Sequence, residues 1–264
     1  TYIITDINGC TDTIVYDVEN TTNPDLASGT SSNIIGCDSI PVWFTISDVQ
    51  DNDSSTIYVV DFGDGTPLDT FSHPPPDSVF HAYTITSCGN TDIFGNPDRF
   101  TYVVEAINVC GATTVTVSPI RLFTTPVASF ELDPIIPCAN QFVIFDNTSD
   151  PGTEISCSGV SGYSWYFGDG DSAIVFDGSS QLHSYSDTGS YQAMLIADNF
   201  TCAPDTFYQS VCVQPEPVAD FTLSATSECV PAVIDATNLS NTLGSSCSTV
   251  DYHWRVIFHQ SDCV

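Results

Sequence analysis

"GYSWYFGDGDS", Gly162 to Ser172, has a counterpart about a hundred residues earlier in "IYVVDFGDGTP", Ile57 to Pro67. Asp61-Phe62-Gly63 imitates the metal-binding DFG of a protein kinase. That chemistry also requires a strand-borne lysine for the nucleotide phosphates, and this chain contains no lysine. The other reading is architectural. Phe62 and Phe167 end a strand facing a core, and Gly63 and Gly168 relax the strand where a side chain would crowd it. Asp64-Gly65 and Asp169-Gly170 then supply the positive φ angles of a tight hairpin turn.

Working outward from FGDG, its surroundings repeat as well. "HAY" (His81 to Tyr83) follows the first copy and "HSY" (His183 to Tyr185) the second. "PVASFELDPIIPC" (Pro126 to Cys138) returns as "PVADFTLSATSEC" (Pro217 to Cys229), 91 residues on. "YVVEAINVCG" (Tyr102 to Gly111) and "YQAMLIADNFTC" (Tyr191 to Cys202) close the copies, and the opening "YIITDINGC" matches that closing segment. The same motifs returning in the same order indicate tandem domains. The expected boundaries are 1–23 for the last hairpin of a preceding repeat, 24–125 and 126–216 for whole repeats, and 217–264 for the start of another. Within a copy, apolar runs of five to eight residues rich in Val, Tyr and Ile alternate with Pro, Gly, Asn and Asp clusters. The expected fold is all-β, with a Trp on the third strand packed against the opposite sheet. Trp165 and Trp254 fill that place, while the first whole repeat has Val60.

These motifs resemble the PKD (polycystic kidney disease) domain family. Trp165-Tyr166-Phe167-Gly168-Asp169-Gly170, His183-Ser184-Tyr185 and Gly189-Ser190-Tyr191 follow its signature in order and spacing. The first repeat keeps Phe62-Gly63-Asp64-Gly65 and His81-Ala82-Tyr83, but inserts "TITSCGNTDIFGNPDRF" before its next strand. The resemblance implies tandem immunoglobulin-like sandwiches arranged as beads on a string. The cysteine-rich variant is similar to PKD arrays in large surface proteins of Bacteroidetes-type bacteria. In such a sandwich the loop between the second and third strands meets the loop of the last hairpin. That geometry implies a Cys157–Cys202 bridge; Cys88–Cys110 and Cys138–Cys212 are the pairs expected beside it.

Composition sets the compartment and excludes several partners. The formal charge is −30, from 33 acids against Arg99, Arg121 and Arg255. A nucleic-acid reader needs cations to displace phosphate counterions, and an anionic lipid surface would repel this chain. No apolar run approaches a membrane-spanning length, so no direct membrane insertion is expected. Hydrophobic residues still make up 42%, enough to build cores despite the charge. Eleven widely spaced cysteines without a Cys-x-x-Cys pair read as an extracellular disulfide framework. The segment reads as a window on a longer secreted chain.

Candidate sites are few. "SDTGS" (Ser186 to Ser190) imitates an aspartic protease loop, but that chemistry needs two such loops sharing a proton. His253 and His259 could share a strand face, without a third ligand. Asp48, Asp51 and Asp53, then Asp146 and Asp150, then Asp169 and Asp171 offer loop oxygens suited to calcium. Asn20, Asn52, Asn147, Asn199 and Asn238 head Asn-x-Ser/Thr sequons. Thr13, Ser39, Ser78 and Ser172 lie in Asp-Ser/Thr-apolar triplets that resemble an O-glycan acceptor motif. The expectation is a non-catalytic segment of an extracellular fibre or cell-surface stalk. Its partners would be neighbouring repeats, copies of itself or surface glycans, with no nucleic acid. The alternative is an accessory module of a secreted hydrolase that binds polysaccharide or protein.

Overall fold

A computed structural model of the chain describes residues 1–16, 22–30, 34–226, 233–241 and 252–256. Asn20, Cys229, Cys247, His259 and Cys263 lie outside the described residues, as does much of 217–264. The chain divides into two compact units, Thr1–Thr124 and Thr125–Val264. The described residues contain strands and no helix.

In the first unit, β1 (Tyr2–Thr5) and β2 (Thr11–Ile14) form an exposed antiparallel hairpin. The strands β3 (Ala27–Thr30), β4 (Ile35–Cys37), β5 (Ile40–Ser47), β6 (Ile57–Asp61), β7 (Asp69–Ser72), β8 (Ser78–Tyr83), β9 (Phe100–Asn108) and β10 (Gly111–Phe123) follow. They build a three-stranded sheet, β3-β5-β8, and a five-stranded sheet, β4-β10-β9-β6-β7. The reason is periodicity. "IPVWFTIS" in β5 alternates buried and exposed along its whole length, so Val42, Phe44 and Ile46 face inward. Tyr58 and Val60 of β6 and Tyr102 and Val104 of β9 meet them from the other sheet. β10 is antiparallel to β9 and shifts register between Val117 and Ile120, around Pro119. A proline without an N–H is accommodated at such an irregularity. Past it, β10 also takes β4 as a parallel neighbour, with Phe123 opposite Cys37.

The second unit repeats the plan with β11 (Phe130–Asp133), β12 (Phe142–Asn147), β13 (Gly162–Tyr166), β14 (Ser172–Val175), β15 (Gln181–Ser184), β16 (Gly189–Asp198) and β17 (Asp205–Val213). Its sheets are β11-β12-β15 and β14-β13-β16-β17. Trp165 is buried, 5.2 Å from Phe130 and 6.0 Å from Phe145 between ring centroids. The hairpin of β18 (Phe221–Leu223) and β19 (Ala236–Asn238) follows. There Phe221 meets Trp254 at 5.5 Å, the counterpart of the Phe130–Trp165 contact. Each whole repeat is an immunoglobulin-like β-sandwich.

The first repeat's insertion is tied down as a folded loop. Ser87 N donates to Leu122 O at 2.8 Å, and Arg121 Nε donates to Asp98 O at 3.2 Å. Buried Asp92 accepts the backbone N–H groups of Phe94 and Asn96.

Candidate functional site

The residues that spell the repeat signature converge in space in both units. In the first, Phe62 leaves β6 for the core, and the ring of His81 on β8 stacks on it at 3.9 Å and 10°. His81 Nε2 donates to Asp64 Oδ2 at 2.7 Å. Tyr83 stands edge-on to His81 and donates its hydroxyl to Phe62 O at 2.9 Å. In the second, Phe167 and His183 stack at 4.1 Å and 10°, and His183 Nε2 donates to Asp169 Oδ2 at 2.7 Å. Tyr185 donates to Phe167 O at 2.9 Å. Phe, Asp, His and Tyr thus form a latch that joins the turn after one sheet to a strand of the other.

The glycines make the latch possible. Only the glycines of the turn take positive φ: 77° at Gly63, 86° at Gly65, 91° at Gly168 and 108° at Gly170. The expectation that the Asp shares the positive φ is corrected here; the Asp instead supplies its side chain to the imidazole. A Cβ on Gly63 would strike the Thr101 carbonyl, and one on Gly168 would come within 2.7 Å of Gln192 O. The first glycine is required for close approach to the neighbouring strand, beyond relaxing its own.

Electrostatics agree with a structural latch. Burial opposes ionisation of Asp64, but hydrogen bonds from Thr66 and His81 outweigh it and hold the carboxyl below its ordinary value. Asp169 behaves likewise, through His183 and the Asp171 amide. Burial, with the carboxylate of Asp64 or Asp169 adding to it, pushes the Tyr83 and Tyr185 hydroxyls upward, so both stay neutral donors. A hydrolytic dyad would need a nucleophile on the imidazole. Thr66 Oγ1 gives its hydrogen to Asp64 instead, at 2.6 Å.

Of the acids with calcium-like chemistry, Asp169 and Asp171 come together with His183, their ligand atoms within 4.8 Å. Calcium takes roughly six to eight oxygens. Here the third group offers nitrogen, and Asp169 already accepts from His183 and from Asp171 N. The set fits calcium poorly. Asp48, Asp51 and Asp53 surround the turn after β5 and form no such group among the described residues. Asp53 accepts from Ser55 N, Asp146 from Ser180 Oγ and Asp150 from Gly152 N.

The cysteines require two corrections. Cys37, Cys88, Cys157, Cys202 and Cys212 are disulfide-bonded, whereas Cys110 and Cys138 carry thiols. Cys88–Cys110 therefore does not form. Cys110 lies in the β9–β10 turn, and Cys88 lies beside the far end of β10, near Leu122. A strand of that length spans roughly 40 Å, and a disulfide needs Cα atoms within about 7 Å. Cys138–Cys212 fails by less: Cys138 bridges Gln214, which puts Cys212 about one rung further along, ~7 Å of strand rise. Cys37 also borders the end of β10, opposite Phe123. Around Cys157 and Cys202 the two loops are laced by Ile155 N to Thr201 Oγ1 at 3.0 Å and Asn199 Nδ2 to Thr153 O at 3.1 Å. Glu154, unremarked in the sequence, fixes the first of these loops. Burial opposes its ionisation, but Ser156 and Ser158 donate to it through backbone and hydroxyl, holding its carboxyl at about 2.

Among the glycan candidates, Thr13, Ser39 and Ser172 are exposed and Ser78 is half-buried in β8. The Asn52 amide is engaged with Asp25 and Tyr58, and buried Asn199 with Thr153. Asn147 accepts from Ser149 N, Asn238 is exposed, and so is His253. "SDTGS" is an exposed turn before β16, where Tyr191 donates to Asp187 O.

No family profile matches the sequence, and no curated protein does. Solved structures similar to it include the PKD1 domain of Vibrio anguillarum Epp, 26% identical, covering 35% of this chain and 96% of that one at a TM-score of 0.27. The PKD domain of the human VPS10 domain-containing receptor SorCS2 is 21% identical, covering 38% and 82% at 0.31. The amphioxus IgVJ-C2 molecule is 14% identical, covering 65% and 96% at 0.37. The fold is all-β and immunoglobulin-like. The two-sheet topology carries that conclusion without these likenesses.

Proposed function

We propose that the chain is a non-catalytic, structural or adhesive segment of a long extracellular fibre or stalk built from PKD-like repeats. The supporting observation is the fate of the signature residues. In both repeats the signature's Phe, Asp, His and Tyr are bonded to or stacked on one another in the latch. Disulfide-bonded cysteines suit an oxidising, extracellular setting. A net charge of −30 favours an extended string over collapsed beads and makes lateral contact depend on salt or divalent cations.

Small-angle scattering of the whole chain, with and without millimolar calcium, tests this. An elongated particle is expected, with intermolecular attraction rising as cations are added. A compact particle in both conditions, or hydrolysis of glycan or peptide by the purified chain, would overturn the proposal.

A further inference from the structure

The outward face of the β3-β5-β8 sheet carries an aromatic pair among uncharged neighbours. Along β5 and β8 it presents three rungs, Pro41 opposite Ala82, Trp43 opposite Phe80, and Thr45 opposite Ser78. Trp43 is 53% and Phe80 49% exposed, and their rings lie 5.1 Å apart at 51°. None of these rungs carries a charge, in a chain with 33 acids. The corresponding face of the second repeat is also apolar, with Ile144 opposite Leu182. There, however, Asp133 stands opposite Ile144, and Glu131 opposite Asp146. The lack of charge belongs to the first repeat's face and not to this sheet in general.

We propose that this face binds a neutral polysaccharide, with Trp43 and Phe80 as its platform and the Thr45–Ser78 rung beside it. Pyranose rings have apolar C–H faces that rest on aromatic rings and hydroxyl edges that hydrogen-bond to Thr and Ser. The Trp43–Phe80 rung offers the first and the Ser78 hydroxyl beside it the second, the Thr45 hydroxyl being engaged with the Gly29 backbone at 3.1 and 3.3 Å. Charge selects the class. Nucleic acid, acidic glycan and anionic lipid are repelled by the remaining surface, whereas a neutral glycan meets neither repulsion nor a charge to desolvate. Size argues against a second copy of the chain. Two half-exposed aromatics offer roughly 200 Å² per copy, or about 400 Å² for a pair, well short of the roughly 1,200–2,000 Å² total of a stable protein interface. The inference is independent of the fibre proposal, since a compact scattering profile would leave this face as it is.

The test is affinity electrophoresis of the oxidised full chain in gels containing soluble β-glucan, mannan, xylan or galactan, with polygalacturonate as the charged control. At least one neutral polymer should retard the chain and polygalacturonate should not. Trp43→Ala should weaken the association about tenfold or more, as for a central aromatic anchor, and Phe142→Ala in the second repeat should leave it unchanged. Phe80→Ala replaces Trp43→Ala should melting show the latter unfolded. No retardation by any neutral polymer, or retardation that both first-repeat variants leave intact, overturns the proposal. Sedimentation covers the remaining outcome: a dimer abolished by Trp43→Ala, without glycan binding, would assign the face to a second copy and also overturn it.

Discussion

The two whole repeats keep the same latch and fill the space beside it in opposite ways. In the second, Trp165 of β13 stands opposite Leu195, and Ala193 lies two residues back along β16. In the first, Val60 of β6 stands opposite Val104, and Tyr102 lies two residues back along β9. Large-with-small has become small-with-large. Tyr102 then stacks flat on Phe44 at 3.9 Å and 1°, covering what the missing indole leaves. The latch tolerates no such exchange, because its parts are joined by direction-specific hydrogen bonds. A core asks for total volume, and a hydrogen-bonded turn asks for particular atoms.

That contrast is broken most severely by emptying the core. Trp165→Ala should cost the second repeat about 3–5 kcal/mol, leaving the first repeat's transition in place when urea unfolding is followed for both. Trp165→Val alone should also destabilise, and Ala193→Tyr alone should overpack. Together they should recover part of the loss, and strict additivity in the double-mutant cycle would refute volume compensation.

The disulfides come next. Non-reducing peptide mapping should return Cys37 joined to Cys88 and Cys157 joined to Cys202. Removing the first bridge by Cys37→Ala with Cys88→Ala should cost about 2–4 kcal/mol. A Cys88–Cys110 peptide from folded protein would contradict the end-of-strand placement.

Within the turn, the two glycines should separate. Gly168→Ala combines strain at positive φ with a clash on Gln192 O, and about 2–3 kcal/mol is expected. Gly170→Ala meets open space and should cost about 1 kcal/mol, from φ alone. Equal losses in thermal unfolding would remove close approach as the first glycine's role.

The smallest effect is expected from the latch carboxylates. Asp64→Asn should cost about 1–2 kcal/mol and Asp169→Asn less, since their side chains are 4% and 21% exposed. Asp64 is held below its ordinary 3.8 in the folded chain. Its contribution is therefore complete above that value and is lost as pH falls through the lower folded one. An acid titration of stability in which Asp64→Asn and the natural chain keep a constant difference down to pH 2 would disprove the linkage.

Much of this was legible in sequence, for local reasons. Alternation in "IPVWFTIS" and "FTYVVEAIN" gives strand and inward face directly, and FGDG followed by His-x-Tyr marks the turn and its neighbour. What escaped depends on partners far apart in the chain. The Asp64–His81 contact spans 17 residues and needs the two sheets in place before the pair can be seen. Tyr102 could be matched with Val60 only through the β6–β9 register. The Cys88–Cys110 error has the same origin. Nothing local reveals that β4 joins β10 in parallel and carries Cys37 to that end of the sheet. The calcium candidates were chosen by residue type, and oxygens already bonded to their own turns are invisible at that level.

The reversed core volumes bear on how such a chain avoids errors as it folds. Tandem sandwiches with similar strands are prone to exchange them, one repeat completing itself with its neighbour's strand. Here a borrowed strand brings Trp165 against Tyr102, which overfills the interior, or Val60 against Ala193, which leaves a void. Overfilling and voids both cost stability, so the mismatch should disfavour either hybrid against the native sandwiches. Refolding the natural chain beside one carrying Val60→Trp and Tyr102→Ala should show it: the variant, with matched interiors, should yield more misassembled species on size exclusion.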